Sequence, residues 1–312
     1  MTFSTLVDRR RSCLSTCQRL VSKQKNNLLT AVLIAGGYVF GPSPAIAEGE
    51  LRISAIPDEA PTDLIRKFEP LAEYLSAELE MDVSFVPVTD YAATVEALVG
   101  EQVDMAWLGG FTYVQAAERS GGKIEPIVQR AEDERFQSVF ITQSDSGIES
   151  LEELKGATLT FGSPSSTSGH LMPRHYLLEA GIDVDNDLSV AFSGAHDATA
   201  FAVASGRVDA GALNIKVWEK LAAEDKLDTD KLRVFYTTPE YHDYNWAIRS
   251  GLSAQLRQQL IDAFVSLDPA NPKDKIILDL QRASVFIPSQ ASYYEGIKNC
   301  LLYTSPSPRD RG

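Results

Sequence analysis

Short apolar runs alternate with stretches of helical spacing over most of the chain. Leu51 to Ile56 alternates as a strand and stops at Pro57; the next apolar positions, Leu64, Phe68, Leu71, Leu75 and Leu79, keep helical spacing and predict a helix from about Asp63 to Glu80. Val83 to Val88 predicts a second strand. Tyr91 opens a helix over Ala92 to Val99 that Gly100 ends, and Val103 to Leu108 predicts a buried strand running through Gly109-Gly110 into a helix over Val114 to Arg119. Strand and helix in strict alternation describe an open parallel α/β unit.

A second unit follows. Val139 to Thr142 predicts a strand, Ser150 to Lys155 a helix and Ala157 to Phe161 a strand; then come a turn, a helix over 171–180, a strand over Leu188 to Phe192, a helix over Ala198 to Ser205 and a strand over Val208 to Leu213. Gly100-Glu101-Gln102-Val103-Asp104 and Gly206-Arg207-Val208-Asp209 occupy similar places in the two units, a weak internal repeat. Strands at Leu232 to Thr237 and Asn245 to Ile248, then helices around Ala254 to Leu267 and Lys273 to Asp279, take the chain back. Residues 48–138 with 245–299 are expected to form one lobe and 139–244 the other. Two crossover segments join them, and the ligand crevice lies between the lobes at the carboxyl ends of strands.

The two ends change the composition that matters. Basic residues from Arg9 to Lys25, apolar Leu28 to Phe40 and the small residues Ala45-Ile46-Ala47 predict an exported chain whose signal peptide, residues 1–47, is cut near Ala47. The apolar run is short for a membrane anchor. Cys300 to Asp310 resembles translated sequencing adapter rather than a protein segment, so 300–312 is set aside as an artefact. Without these ends the 43 acidic and 29 basic residues become 41 and 21, a body near −20, and all three cysteines are lost. Such a surface repels nucleic acid and anionic membrane, and the body has no disulfide or thiolate metal site. An anion could be held there only by short-range oriented donors.

Gly162-Ser163-Pro164-Ser165-Ser166-Thr167-Ser168-Gly169-His170 offers such donors. It links a predicted strand to a predicted helix, where unpaired N–H groups carry partial positive charge, and Ser165, Ser166, Thr167 and Ser168 add hydroxyls. It lacks the Gly-Lys-Ser/Thr of a Walker loop and the Gly-x-Ser-x-Gly of a nucleophile elbow. His170 and His175 miss the i, i+4 spacing of a helical metal pair.

Pro57-Asp58-Glu59-Ala60-Pro61, Thr89-Asp90-Tyr91, Trp107-Leu108-Gly109-Gly110-Phe111-Thr112, Ser165 to His170 and Gly206 to Gly211 together resemble the phosphate/phosphite/phosphonate-type substrate-binding proteins of ABC importers, over about Leu51 to Lys298. Within that family Ile56 to Thr62, Thr89 to Ala93 and Gln129-Arg130-Ala131-Glu132-Asp133 look most like the branch named for selenate binding. The resemblance implies a two-lobed periplasmic-binding-protein fold of type II kind. It implies a periplasmic monomer without cofactor or metal that captures a small tetrahedral oxyanion and passes it to a cognate permease. By the same resemblance Ser166, Thr167 and Ser168 grip the anion's oxygens, His196 faces the cleft from a helix start, Tyr91 donates from the first lobe, and Asp209 accepts from a protonated oxygen. Phe111, beside Thr112, stands where a tyrosine is expected in phosphonate binders. An exported sensor of the same anions is the alternative; Asp209, His196 and Ser168 supply the residue types of an acyl-transfer triad but fit no motif for one.

Overall fold

The computed structural model of the protein describes residues 49–304 apart from 225 and 226. The expected signal peptide, and residues 305–312 of the terminal segment, lie outside the described residues. The first part of the chain forms β1 (Leu51–Ala55), α1 (Pro61–Leu79), β2 (Val83–Phe85), α2 (Tyr91–Val99), β3 (Met105–Leu108), α3 (Gly110–Arg119) and β4 (Ile124–Arg130). The second comprises β5 (Ser138–Gln143), β6 (Thr158–Phe161), α4 (Met172–Glu179), β7 (Ser189–Phe192), α5 (His196–Ala204), β8 (Ala210–Asn214), α6 (Ile215–Ala223) and β9 (Leu232–Thr237). The return adds β10 (Asn245–Arg249), α7 (Ala254–Val265), α8 (Pro272–Gln281), β11 (Phe286–Pro288) and α9 (Glu295–Thr304).

Two sheets result, in the orders β11-β4-β10-β3-β1-β2 and β7-β6-β8-β5-β9. The parallel arrangement expected from alternating strands and helices holds for β1 with β2 and β3, and for β6 with β7 and β8. Both sheets are nonetheless mixed. β10 re-enters the first sheet antiparallel between β3 and β4, and β5 runs antiparallel to β8 and β9. β4 carries Pro126, which masks its strand character in the sequence, and its pairing with β10 shifts register at Trp246/Ala247. The helix expected at Ser150 to Lys155 is a single 3-10 turn at Glu152–Leu154. α9 passes through Cys300, which with Leu301 packs against the core, so the boundary drawn at 299 falls inside a helix.

Burial follows the strand period of two. Along β5, Phe140 packs with Leu159, Phe161 and Leu177 on one face, while Val139 and Ile141 pack with Val203, Leu213 and Val217 on the other. The first sheet centres on Trp107 and Trp246, ring centroids 5.6 Å apart, with Phe68 and Phe264 against Trp246. The chain crosses between sheets at 131–137 and 238–244. These strips pair through Phe136 and Tyr241, whose N–H groups each donate to the other's carbonyl, at 2.8 and 3.0 Å.

Candidate functional site

The hydroxyl turn stands at the carboxyl end of β6. Ser166 caps it: its Oγ accepts from Gly169 N at 2.9 Å, and Leu171 N donates to Ser166 O at 3.0 Å, so Thr167–Leu171 forms a wide π turn that continues into α4. Helical backbone therefore begins at Thr167, four residues earlier than its spacing predicts, because a serine cap rather than apolar periodicity sets the start. Gly169 is required for close approach, since a Cβ there would lie 2.9 Å from His196 Cε1 and 3.0 Å from Ser166 Oγ. Ser166, Thr167 and Ser168 are buried, and among the described residues Ser168 Oγ makes no hydrogen bond of good geometry, the Tyr241 hydroxyl being its neighbour.

His196, the first residue of α5, is fully buried, which pulls its pKa down to about 4. Its ring is neutral at ordinary pH. Asn214 N–H donates to Nδ1 at 3.2 Å, which leaves the ring proton on Nε2. Nε2 lies 3.4 Å from the hydroxyl of Tyr91 and 3.5 Å from that of Tyr244. Burial, then the nearby Asp58 carboxylate, holds both phenols well above their usual pKa, so each keeps its proton. Tyr244 accepts from Asn214 Nδ2 at 2.7 Å, freeing its own O–H to donate. Tyr91 is placed by the Asp90 cap of α2, whose Oδ1 accepts from Ala93 N at 2.8 Å. Tyr244 is held by its ring, stacked on Trp107 at 5.2 Å and facing the Arg130 guanidinium at 5.1 Å.

Two carboxylates oppose these donors. Asp243 Oδ1 accepts from Gly110 N at 3.0 Å, and Oδ2 is buried without a hydrogen-bond partner among the described residues; burial pushes its pKa up to about 7, only partly countered by Gly110 N–H and Thr167. Asp58 is buried with neither oxygen hydrogen-bonded among the described residues, and the buried Lys67 ammonium, 4.0 Å away, has its own pKa pulled down to about 8, burial outweighing Asp58. Donors of O–H and N–H type thus gather around His196, beside an acceptor poised to carry or take a proton. Such a set suits a partly protonated tetrahedral oxyanion.

Several expected residues lie elsewhere. Asp209 is exposed at the start of β8, where Oδ2 accepts from Thr158 N and Oγ1, each at 2.7 Å. Thr158 opens β6, whereas the hydroxyl turn follows its end, so Asp209 caps the far end of the sheet. That places it away from the hydroxyl turn and from His196, so Asp209 cannot act with His196 and Ser168 as a triad. Ser165 is half-buried, its N–H donating to Ser163 Oγ. Thr112 turns its hydroxyl back to Gly109 O at 2.9 Å. Phe111 contributes backbone: its N–H donates to Thr167 Oγ1 at 3.0 Å. Gly109 permits that approach, because a Cβ there would meet Thr167 Oγ1 at 2.9 Å and Asp243 Oδ1 at 3.2 Å. Asp243, Tyr244 and Asn214 were not foreseen; an acid and an aromatic side by side on a predicted crossover were the available signal.

The two lobes are closed on one another. His196 N donates to Asp58 O and Ala60 N to Asp197 Oδ2, both at 3.1 Å, in addition to the Phe111 to Thr167 contact. A groove of about 570 Å³ runs between the lobes, lined largely by Pro57, Pro61, Leu64, Phe85, Pro87 and Pro164; none of the converging hydroxyls lines it.

Known proteins bear on this arrangement. Residues 53–294 match the family model described as ABC transporter, phosphonate, periplasmic substrate-binding protein. A probable ABC transporter phosphite binding protein, PhnD1, of Prochlorococcus marinus (strain MIT 9301) is 36% identical over 80% of this chain and 87% of its own. The solved structure of PhnD1 from that organism, in complex with methylphosphonate, superposes with a TM-score of 0.77 at 35% identity, covering 81% of this chain and 97% of the other. The phosphonates-binding periplasmic protein of Escherichia coli (strain K12) is 27% identical over 76% of this chain and 72% of its own.

Proposed function

The chain belongs to the periplasmic substrate-binding proteins of phosphonate ABC transporters, and on that footing we propose that its cleft captures a protonated phosphorus oxyanion, of phosphite or small-phosphonate type, for delivery to a permease. The observation that carries this reading is Asp243 Oδ2, buried beside neutral donors and without a hydrogen-bond partner among the described residues. A hydroxyl-bearing oxyanion satisfies it by donating, while Tyr91, Tyr244, His196 Nε2–H and the serine hydroxyls donate to the remaining oxygens. Selenate and sulfate carry no proton at neutral pH, so either one leaves Asp243 to supply the proton or to repel the ligand. The Prochlorococcus relative, named for phosphite and solved with methylphosphonate, supports the phosphorus class over the selenate branch.

A thermal-shift panel of phosphite, methylphosphonate, phosphate, sulfate and selenate tests the proposal. Ligand present at a hundredfold excess over Kd stabilises the native state by about 2.7 kcal/mol. Phosphite or methylphosphonate should raise Tm more than sulfate or selenate does at equal concentration. A panel with no shift, or one led by selenate, sinks the assignment.

A further inference from the structure

A cluster of charges joins the two lobes outside the anion site. Lys220 projects from α6, whose Val217 and Leu221 are anchored in the core of the second lobe. Its Nζ meets Glu59 Oε2 and, at 2.9 Å, Asp63 Oδ2, both from the first lobe. Arg282 Nη1 holds the other oxygen of Glu59 at 2.8 Å, and Arg66 pairs with Asp63 at 2.8 Å. Among the described residues, Lys220 crosses the cleft to this cluster. The contact is shielded, with the Glu59 side chain 4% and the Lys220 side chain 16% exposed, so it differs from a surface pair of little worth. Burial alone would lower the Lys220 pKa, but Glu59 and Asp63 raise it, so the ammonium stays charged.

The cluster bears on the same strip that seats His196. Asp58, Glu59 and Ala60 are consecutive: the carbonyl of Asp58 accepts from His196 N, Ala60 N donates to Asp197, and Glu59 between them takes Lys220. We propose that Lys220 is a positioning residue, a latch on the second lobe that closes onto Glu59 and Asp63 of the first and retains the bound anion without touching it. Because the latch forms only as the lobes meet, its effect falls on dissociation.

The test is stopped-flow binding of phosphite and methylphosphonate, followed by tryptophan fluorescence, to which Trp107, stacked on Tyr244, contributes. Lys220→Met keeps the aliphatic stem and removes the charge. It should raise koff about tenfold, as truncation of a shielded pair across an interface does, with kon within about twofold. Lys220→Arg should restore most of the retention, and Asp63→Asn should raise koff less, in the same direction. An unchanged koff in folded Lys220→Met, a loss appearing in kon, or failure of Lys220→Arg to rescue overturns the latch. Should Lys220→Met not fold, Asp63→Asn carries the test alone. The ligands in this experiment rest on the function proposed above. If the wild type binds neither anion, that function fails, and the latch is read without ligand from amide hydrogen exchange at Ala60 and His196. Faster exchange in Lys220→Met supports it; equal rates overturn it.

Discussion

Replacing Asp243 by Asn separates the role of its charge from its shape. The amide oxygen can still accept from Gly110 N, so the link to the start of α3 is kept. In the closed protein burial lifts the Asp243 pKa from the ordinary value near 4 to about 7. That is about three units, or roughly 4 kcal/mol between the two protonation states at the upper limit. Closing over an anion with Asp243 charged is therefore disfavoured above pH 7, and the complex holds a proton that the separated partners have lost. The sign follows by linkage: a complex that binds more protons than its parts weakens as pH rises, by up to about tenfold per unit. Selenate isolates the effect, because its charge does not change between pH 5 and 9. Calorimetry with selenate and with methylphosphonate at pH 6, 7, 8 and 9 should show affinity falling with pH in the wild type. In Asp243→Asn the selenate slope should vanish, and methylphosphonate should bind at least about tenfold more weakly at pH 7, having lost its acceptor. A selenate slope that survives in Asp243→Asn, or a flat wild-type profile for both ligands, would mean that Asp243 takes up no proton on binding.

Ser168→Ala should weaken anion binding by about one to two orders of magnitude, while the ligand-free Tm stays level or rises, because among the described residues its hydroxyl makes no hydrogen bond of good geometry; a lowered ligand-free Tm with unaltered Kd would mean that the hydroxyl is structural. Thr167→Val should weaken binding by a similar factor, since it also leaves Phe111 N–H unpaired in the closed state; calorimetry gives the ratio, and an unchanged Kd removes Thr167 from closure. Tyr91→Phe keeps the buried ring and deletes one donor, so Kd should rise about tenfold or more with little change in urea midpoint. Raising sodium chloride from 20 to 500 mM in oxyanion-free buffer should change Kd by less than about tenfold, because buried donors are screened little; a steeper loss would place a basic patch in the site.

The parts of this molecule that were legible in its sequence are those whose cause is local. The hydroxyl turn announces itself because one short run supplies the cap, the glycine and the donors together, and α1 is plain from five apolar positions on one face. The parts that were obscure depend on where distant strands meet. Asp243 and Tyr244 reach the site on the return crossover, 152 residues beyond Tyr91, counting from 91 to 243, and no spacing rule links them. α6 is short, yet its cap Asn214 touches both His196 and Tyr244, a role that appears only once β8 ends beside α5. Asp209 is expected in the site by family resemblance, and it also repeats Asp104 of the first lobe. Asp104 itself pairs with Arg52 and Arg249, so the repeat marks a strand start that needs its backbone tied, not a binding residue.

On the proposed function one oxyanion sits among Tyr91, Tyr244, His196 and the Ser166 to Ser168 turn, with Asp243 accepting its proton. A crystal structure of the protein with phosphite is the decisive test. It should show a tetrahedral ligand in the closed cleft whose oxygens lie within hydrogen-bond distance of both phenols, His196 Nε2 and Ser168 Oγ, one of them facing Asp243 Oδ2. Phosphite seated in the groove lined by Pro57, Phe85 and Pro164, or held by arginine or lysine side chains instead, would contradict it.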